Sequence, residues 1–159
     1  GPSSRSSLSQ LLSETSLALL RKQRDWNSVA YEGQKFNRFE SQQIEPFYQK
    51  LAVNERTKFE TETSPVATLK GTLRESAARV PTQAVVSVIV AIRGSSNAFS
   101  RSLQSTNNVK ECLQNLVTDA LSDEGENVMA VEVLWTPSEP GVTLSELDVI
   151  ENYPELMRL

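Results

Sequence analysis

Residues 84–92 read Ala-Val-Val-Ser-Val-Ile-Val-Ala-Ile, an almost continuous run of apolar and β-branched side chains bounded by Pro81 and Gly94. The run is too short for a buried helix, so it predicts a strand that is covered on both faces. A second run, 128–136, reads Val-Met-Ala-Val-Glu-Val-Leu-Trp-Thr and stops at Pro137. It predicts a second strand, and together the two strands define the core of a small sheet.

A helix is predicted between these strands, starting at Asn107 or Asn108 as its N-cap and running to about Leu121. Its apolar residues share one face: Val109, Cys112, Leu113, Leu116, Val117 and Ala120. The order strand, helix, strand predicts a βαβ unit in which the two strands are parallel and the connection is right-handed.

The N-terminal part of the chain is predicted to be helical. Leucines at three- and four-residue spacing indicate a helix over 7–23. Pro46 predicts a fresh helix start near Glu45, and Asn54 is a candidate N-cap for a short helix over 55–62. Residues 66–73 are a candidate edge strand.

The C-terminal part contains one more predicted helix. The sequence Thr143-Leu-Ser-Glu146 has the pattern of a capping box for a short helix that ends near Asn152, with 155–159 as a tail.

These elements predict an α+β fold with a βαβ unit. A small sheet of about three strands is packed by the N-terminal helical region and by the crossover helix. We expect a single domain over 7–159, helical in 7–63 and containing the βαβ unit in 64–159. Residues 1–6 are interpreted as a Gly-Pro cleavage scar followed by a serine-rich tail.

The composition excludes several kinds of catalytic site. The chain has no histidine and a single cysteine, Cys112. Serine–histidine and cysteine–histidine catalysis, histidine–zinc sites and an intramolecular disulfide are therefore excluded. Residues 123–127 carry side-chain oxygens that could bind calcium, but they lack the full pattern of a calcium-binding loop. This favours their interpretation as a solvated helix end. We expect no metal and no cofactor, and the composition disfavours an enzyme.

Charge is distributed unevenly along the chain, whose net charge is −4. Residues 1–109 carry 14 Lys and Arg against 9 Asp and Glu, whereas residues 110–159 carry 2 against 11. The acidic half argues against binding to nucleic acid, because such domains normally present a basic surface. Opposed charges can attract each other within one fold or form separate faces for partners.

The predicted parallel strands place a candidate ligand site at their carboxyl ends. Arg93 could bind a carboxylate or phosphate, the Gly94 loop could offer backbone N–H groups, and Trp135 could stack on a planar group. Alternatively, Gly94 only permits a turn and Trp135 fills the rim of the core. Glu132 would either be solvated or pair with a cation such as Arg93. The candidate ligand- or partner-binding residues are Arg93, Gly94, Ser95, Asn97, Glu132, Trp135 and Thr136.

Several stretches resemble a known family in the same order along the chain. The ending Val-Glu-Val-Leu-Trp-Thr-Pro at 131–137 is the most specific of them, and it is followed by 143–147 and 153–156; further matches are 14–21 with Trp26 close behind, 54–59 and 85–94. Together they resemble the C-terminal region of the domain of unknown function 1517 family. The chain departs from the family at 22–25, where a histidine and a proline would be expected.

The resemblance implies a protein of chloroplasts or cyanobacteria that is anchored in a membrane by segments ahead of this soluble region. The membrane would be the thylakoid or the envelope, with the soluble domain on the stromal side. Two functions follow as hypotheses. The first is a non-catalytic interaction domain that docks a protein partner during assembly or regulation of a membrane complex. The alternative is a small-molecule or nucleotide-binding domain, which could include an enzyme, that uses the strand-end site near Gly94 and Trp135.

Overall fold

The computed structural model describes residues 4–62, 82–94, 96–99, 102–139 and 141–159. They fall into two compact units, each assembled from separate stretches of chain. Unit 1 comprises Gly1–Glu45, Val90–Val131 and Leu156–Leu159, and unit 2 comprises Pro46–Ile89 and Glu132–Glu155. The prediction of one domain over 7–159 stays a prediction.

Unit 1 is built on two packed helices, α1 (Ser4–Arg21) and α3 (Thr106–Leu121). The buried residues of α3 are apolar, whereas α1 buries one leucine and three serines: Leu113, Leu116 and Ala120 from α3, and Leu12, Ser9, Ser13 and Ser16 from α1. The helix predicted from the 109–120 pattern is thereby confirmed. Its N-cap is Ser105, whose hydroxyl accepts a hydrogen bond from the Asn108 backbone at 3.1 Å, and not Asn107 or Asn108.

Helix α1 starts earlier than its leucine pattern predicts. Residues 4–6 belong to the helix and not to a tail, because serine and arginine are readily accommodated in a first helical turn. After Arg21 the chain tightens into a short 3-10 helix, Gln23–Asp25. The indole Nε1 of Trp26 then donates a 3.0 Å hydrogen bond to the Leu19 carbonyl, which satisfies one of the acceptors at the helix end.

A two-stranded antiparallel sheet in unit 1 pairs a segment that follows α1 with residues near position 159. Strand β1 (Ser28–Val29) pairs with β4 (Met157–Arg158). The prediction that 155–159 is a tail is therefore wrong for its last residues. Strands of two residues carry no detectable period, so the sequence pattern contains no signal for this pairing.

Unit 2 contains most of α2 (Ile44–Glu62) and all of α4 (Glu146–Asn152). Helix α2 starts close to Pro46, as predicted, and a 3-10 helix, Arg38–Gln43, precedes it. The separate helix expected after Asn54 is wrong: α2 continues through that residue without a break. Relative to alanine, an asparagine inside a helix is disfavoured by less than about 1 kcal/mol. The packing of the helix overrides so small a preference.

The capping box of α4 lies two residues beyond the predicted one. The Ser145 hydroxyl accepts from the Asp148 backbone at 3.1 Å, and the Asp148 carboxylate accepts from the Ser145 backbone at 3.0 Å. Residue Leu144 forms an antiparallel bridge with Gln83, which holds the chain extended just before the helix. Thr143 therefore cannot cap it.

Strands β2 (Val85–Ile92) and β3 (Val128–Thr136) pair with each other, and the bounds of both agree with the prediction to within one residue. The predicted parallel direction is wrong. The Arg93 backbone N–H donates a 2.8 Å bond to the Asn127 carbonyl, so the end of β2 lies beside the start of β3 and the pair is antiparallel. The apolar composition of a strand indicates that the strand is buried, but it does not indicate whether two paired strands run parallel or antiparallel. That direction depends on the end of the sheet at which the second strand begins after the connecting helix.

The α+β class is confirmed, with two separate two-stranded sheets among the described residues. The candidate strand at 66–73 lies outside those residues. No helix in the described part of the chain combines the length and the apolar character that a membrane span requires.

Within unit 2, the two faces of the β2–β3 pair differ in burial. The face toward α2 carries the buried side chains of Val85 and Ile89 together with Ser87 and Glu132, which hydrogen-bond to that helix. The opposite face carries Val86 and Trp135, which are 41% and 56% exposed. The expectation of a sheet covered on both faces is therefore not met by the described residues.

Candidate functional site

The predicted site residues at the end of β2 belong to unit 1. Arg93 is exposed, and Gly94 follows it with a φ of +86°; a Cβ at this position would have nothing within 4 Å of it. Asn97 is exposed as well, and Ser95 lies outside the described residues. Gly94 thus acts here as a turn residue, consistent with its left-handed backbone.

The predicted site residues at the end of β3 belong to unit 2. Trp135 is 56% exposed, whereas Thr136 is buried at 8%. Because β2 and β3 are antiparallel, their carboxyl ends do not meet. The prediction of one strand-end site that combines Gly94 with Trp135 assumed parallel strands, which the structure does not contain among its described residues; a binding role for these residues stays a prediction.

Glu132 pairs with a cation, as one of the two alternatives predicted, but the cation is Arg56 of α2 and not Arg93. Two hydrogen bonds join the side chains, from Nε to Oε2 at 2.7 Å and from Nη2 to Oε1 at 2.5 Å. This two-point geometry matches the guanidinium fork to the carboxylate. Burial and the charge of Glu132 raise the pKa of the nearby Tyr48 hydroxyl, although Arg56 partly offsets them.

A second polar network in unit 2 surrounds Lys58. Its ammonium contacts Glu55 and Glu155 at 2.6 Å each, and the other oxygen of Glu55 accepts from the Ser87 hydroxyl at 2.7 Å. Burial lowers the pKa of Lys58, but the hydrogen bonds that its ammonium donates to Glu155 and Glu55 more than offset this, so the net shift of the pKa is upward. A lysine held protonated in this way has no basic lone pair to offer a reaction.

A cleft in unit 1 has a volume of about 270 Å³ and is lined mainly by polar side chains. One of the predicted site residues contributes to it; the lining residues are Asn97, Ala98, Leu103, Asn108, Glu111, Cys112 and Asn115. The cleft offers amide donors and acceptors with few apolar walls, which suits a small polar ligand better than a planar apolar one.

The thiol in this cleft is unreactive. Burial and the charge of Asp119 raise the pKa of Cys112 to about 11, and its Sγ lies 3.4 Å from the Ala98 carbonyl oxygen. Because the thiolate is the nucleophile, a thiol with this pKa is almost wholly protonated at neutral pH. Cys112 therefore has the role predicted for it, a small residue in the packed face of α3.

The acidic segment, Glu132–Glu155, is the most strongly charged stretch of unit 2. It contains six carboxylates and no lysine or arginine. Glu132 and Glu155 are ion-paired and Asp148 is buried in the α4 capping box, whereas Glu139, Glu146 and Glu151 are exposed. Three large apolar side chains of the same segment are at least half exposed: Trp135, Leu147 and Ile150.

Within the described ranges, no group of three histidine, cysteine, aspartate or glutamate side chains could hold a metal ion. At 123–127, the Asn127 amide donates to Asp123 at 2.8 Å, an arrangement internal to the end of a 3-10 helix.

A family model described as "Protein of unknown function (DUF1517)" matches residues 2–159. The chain belongs to this family. The resemblance inferred from the ending at 131–137 and from the matches upstream is thereby confirmed.

Two proteins are similar to most of this chain. Protein FLAP1 homolog A of Synechocystis sp. is 32% identical over 162 residues, which cover 93% of this chain and 45% of that protein. FLUCTUATING-LIGHT-ACCLIMATION protein 1, chloroplastic, of Arabidopsis thaliana is 30% identical over 156 residues, covering 96% and 38%. The chain thus spans less than half the length of either relative. No solved structure matches it.

Arg56 and Lys58 form ion pairs within unit 2 of this DUF1517 domain, and neither residue was predicted from the sequence to do so. Both lie in the stretch 54–59 that supports the family resemblance, but helix periodicity assigns them only to a solvated surface. Their partners Glu132 and Glu155 are 76 and 97 positions away, a separation that local patterns do not report.

Proposed function

We propose that this DUF1517 chain is a non-catalytic interaction domain that docks a protein partner in a chloroplast or a cyanobacterial cell. The observation that carries the proposal is the acidic segment, in which Trp135, Leu147 and Ile150 are at least half exposed and Glu139, Glu146 and Glu151 are exposed as well. Exposed apolar side chains next to charged ones are typical of a protein-binding surface.

The chemistry of the polar side chains supports a binding role over a catalytic one. Glu132 and Lys58 are held in ion pairs, and the Cys112 thiol is protonated at neutral pH. With no histidine in the sequence, a proton-transfer group poised near neutrality has to come from a shifted carboxyl, lysine or thiol. The shifts at Lys58 and Cys112 are upward, away from neutrality.

The setting of this interaction is proposed from the relatives. One is named for acclimation to fluctuating light and is chloroplastic, and the other is cyanobacterial. In this proposal the domain acts at a photosynthetic membrane, on the stromal or cytoplasmic side, where it docks a partner during assembly or regulation of a membrane complex. Membrane anchoring would be supplied by parts of the protein outside this domain.

The proposal is tested by capture of a partner from detergent-solubilised thylakoid and envelope membranes on the immobilised chain. Capture should enrich one protein reproducibly. Reversal of three exposed carboxylates, Glu139→Lys, Glu146→Lys and Glu151→Lys, should reduce its recovery at least tenfold, because electrostatic complementarity sets partner choice.

The matched control reverses three exposed carboxylates of unit 1, Glu14→Lys, Glu32→Lys and Glu124→Lys. This variant carries the same net charge as the first and should capture the partner normally. If no protein is enriched by the unmodified chain, the interaction-domain proposal fails. If both triple variants lose the partner equally, the effect is one of net charge and the acidic segment is not the docking surface.

A second candidate function, binding of a small polar ligand, is favoured by the 270 Å³ cleft in unit 1. A screen of nucleotides and phosphates by thermal shift should then find one that raises the melting temperature. The shift should disappear in Asn97→Ala and Asn115→Ala and persist in Trp135→Ala, which lies in the other unit. A screen without any shift would reject this candidate.

A further inference from the structure

One wall of the 270 Å³ cleft in unit 1 is a single stripe of helix α3. The stripe consists of Asn108, Glu111, Cys112 and Asn115, of which the last three lie three, four and seven positions after the first. Residues at such spacings share one helix face. The two asparagines stand at the ends of the stripe, about 10 Å apart along the helix axis. A molecule in the cleft would therefore lie along the helix between two carboxamide groups.

The loop that forms another wall of the cleft is fixed to the same helix. Asn97 and Ala98 contribute this wall. The Ser96 hydroxyl donates a hydrogen bond to the Asp119 carboxylate, and the Cys112 thiol donates to the Ala98 carbonyl oxygen at 3.4 Å. Binding between walls that are already in place costs less conformational entropy than binding that has to order them.

The carboxamides of Asn108 and Asn115 retain hydrogen-bonding groups that the fold does not use. Asn108 accepts from the Gln104 backbone at 3.2 Å through Oδ1, but its Nδ2 has no partner among the described residues. The side-chain amide of Asn115 has no partner among them through either atom. Both side chains are partly buried. A ligand that supplies the missing partners therefore gains hydrogen bonds at a site with reduced access to water.

These two carboxamides favour uncharged hydroxyl groups as their partners. A carboxamide donates through its nitrogen and accepts through its oxygen, and a hydroxyl group likewise donates and accepts. A carboxylate or phosphate group is mainly an acceptor at neutral pH, so it would leave the asparagine oxygens facing an anion. Neither lysine nor arginine is among the described residues that line the cleft.

The size of the cleft limits the ligand to a small molecule. Its volume of about 270 Å³ lies just below the roughly 300–1,000 Å³ of pockets that hold drug-sized ligands. A sugar ring is smaller than such ligands, carries several neighbouring hydroxyl groups and has no charge. It therefore meets both the size of the cleft and the chemistry of its two carboxamides.

We infer that this cleft binds an uncharged sugar ring, either of a free saccharide or of a nucleoside, an inference that rests on the second candidate function proposed above. The Asn115 amide bridges two neighbouring hydroxyl groups, accepting from one through Oδ1 and donating to the other through Nδ2. The Asn108 Nδ2 donates to a hydroxyl group at the other end of the ring. Leu103, the large apolar residue of the lining, covers the C–H face of the ring.

A thermal-shift panel of uncharged compounds tests the sugar class: glucose, galactose, adenosine and uridine, each at up to about 10 mM. At least one should bind, and at about ten times its Kd it should raise the melting temperature by about 3 to 6 °C. Inorganic phosphate at the same concentration should give no shift. If none of the four compounds raises the melting temperature, the inference is overturned.

Two leucine substitutions at neighbouring positions of α3 separate the cleft from the rest of the helix. Asn115→Leu removes a carboxamide that lines the cleft and should weaken binding of the active compound at least tenfold. Gln114→Leu is the matched control, because Gln114 is an exposed carboxamide residue that is not among those lining the cleft. It should bind as the intact chain does, and circular dichroism should show both variants folded. Equal affinities of the two variants would contradict the inference.

A measurement on the intact chain does not depend on the folding of any variant. In proton–nitrogen correlation spectra, the side-chain amide resonances of Asn108 and Asn115 should shift when the active compound is added, whereas that of Gln114 should not. Shifts confined to other amides would place the compound outside the cleft and overturn the inference.

The panel also separates the two sources of the sugar ring. Binding of glucose or galactose alone identifies a saccharide, and binding of adenosine or uridine alone identifies a nucleoside. For a nucleoside, 2′,3′-dideoxyadenosine lacks both ribose hydroxyl groups and should bind at least tenfold more weakly than adenosine. Equal binding of these two compounds would show that the base and not the sugar is recognised, which overturns the inference.

The second candidate function can stand without this inference. If a nucleotide or phosphate raises the melting temperature of the intact chain but not of Asn115→Leu, while no uncharged compound binds, only the sugar class is rejected. If neither set of compounds binds, the small-ligand function fails as well. The docking function proposed first concerns the acidic segment, and neither result affects it.

Discussion

Arg56 of α2 and Glu132 of β3 meet through two hydrogen bonds, although 76 positions separate them in the sequence. The pair joins the helix to the strand within unit 2. Glu132 is only 25% exposed, so its charge depends on this partner more than that of a fully solvated carboxylate would.

Replacing either member of this pair should lower the melting temperature by a few degrees. Arg56→Ala should be more harmful than Glu132→Gln, because it leaves a partly buried carboxylate without its cation. The double variant should be less destabilised than the sum of the two single variants. Thermal unfolding of all four proteins completes the cycle, and strict additivity would show that the pair contributes no coupling.

A close approach in unit 1 requires glycine at position 125. Gly125 has a φ of +84°, and a Cβ there would lie 2.8 Å from the Cβ of Ser9. Gly125→Ala should therefore destabilise the protein by about 2 kcal/mol or more, from backbone strain and from steric overlap with α1.

Gly94 supplies the control for that substitution. Its φ is +86°, but a Cβ would meet nothing within 4 Å. Gly94→Ala should cost only the strain of a left-handed backbone, about 1 kcal/mol. Equal losses for the two variants in urea denaturation would show that the approach of Ser9 to Gly125 is not tight.

The buried thiol of Cys112 should make stability depend on pH in the alkaline range. Its pKa is raised from 9.0 to about 11 by burial and by Asp119, so the folded state keeps the proton longer than the unfolded chain does. This contribution is complete below about pH 9 and is lost as pH rises toward about 11, because ionisation favours the unfolded chain in that interval.

Chemical denaturation at pH 8, 9 and 10 measures this effect. Other groups titrate in the same range, so the comparison is with Cys112→Ala, whose unfolding free energy should fall less steeply between pH 9 and 10. Parallel curves for the two proteins would show that the thiol titrates as it does in the unfolded chain.

The α4 capping box should be detectable by a single substitution. Ser145→Ala removes the hydroxyl that accepts from the Asp148 backbone and should cost about 1 kcal/mol in urea denaturation. Asn37→Ala removes the corresponding cap of the exposed 3-10 helix at Arg38–Gln43, and it should cost less because that segment has no buried residue. A larger loss at Asn37 would contradict this ranking.

Local sequence patterns account for much of the secondary structure. The β-branched run at 84–92, the apolar run at 128–136 and the six-residue apolar face of α3 each predict an element that the structure contains. The spacing of apolar residues indicates which side chains of an element are buried. These elements could be predicted because each of them has buried side chains. The α+β class and the family membership follow from the same stretches.

The candidate site depends on information that no local pattern holds. The strand-end site requires β2 and β3 to be parallel, and a single hydrogen bond from Arg93 to Asn127 shows that they are not. Asn97 is a predicted site residue and does line a cleft, but most of its neighbours there come from α3. The exposure of Leu147 and Ile150 also could not be predicted, because it depends on how α4 packs against the rest of unit 2.

Residue identity and spacing were enough to define most strands and helices. They also excluded histidine chemistry and showed that residues 110–159 are acidic. All of these are properties of single residues and short segments. The direction of the β2–β3 pair, the cation that neutralises Glu132 and the exposure of Leu147 and Ile150 became known only from the folded chain. Each of these depends on residues that are far apart in the sequence. The free energy of such contacts is set by packing geometry, which composition and period do not encode.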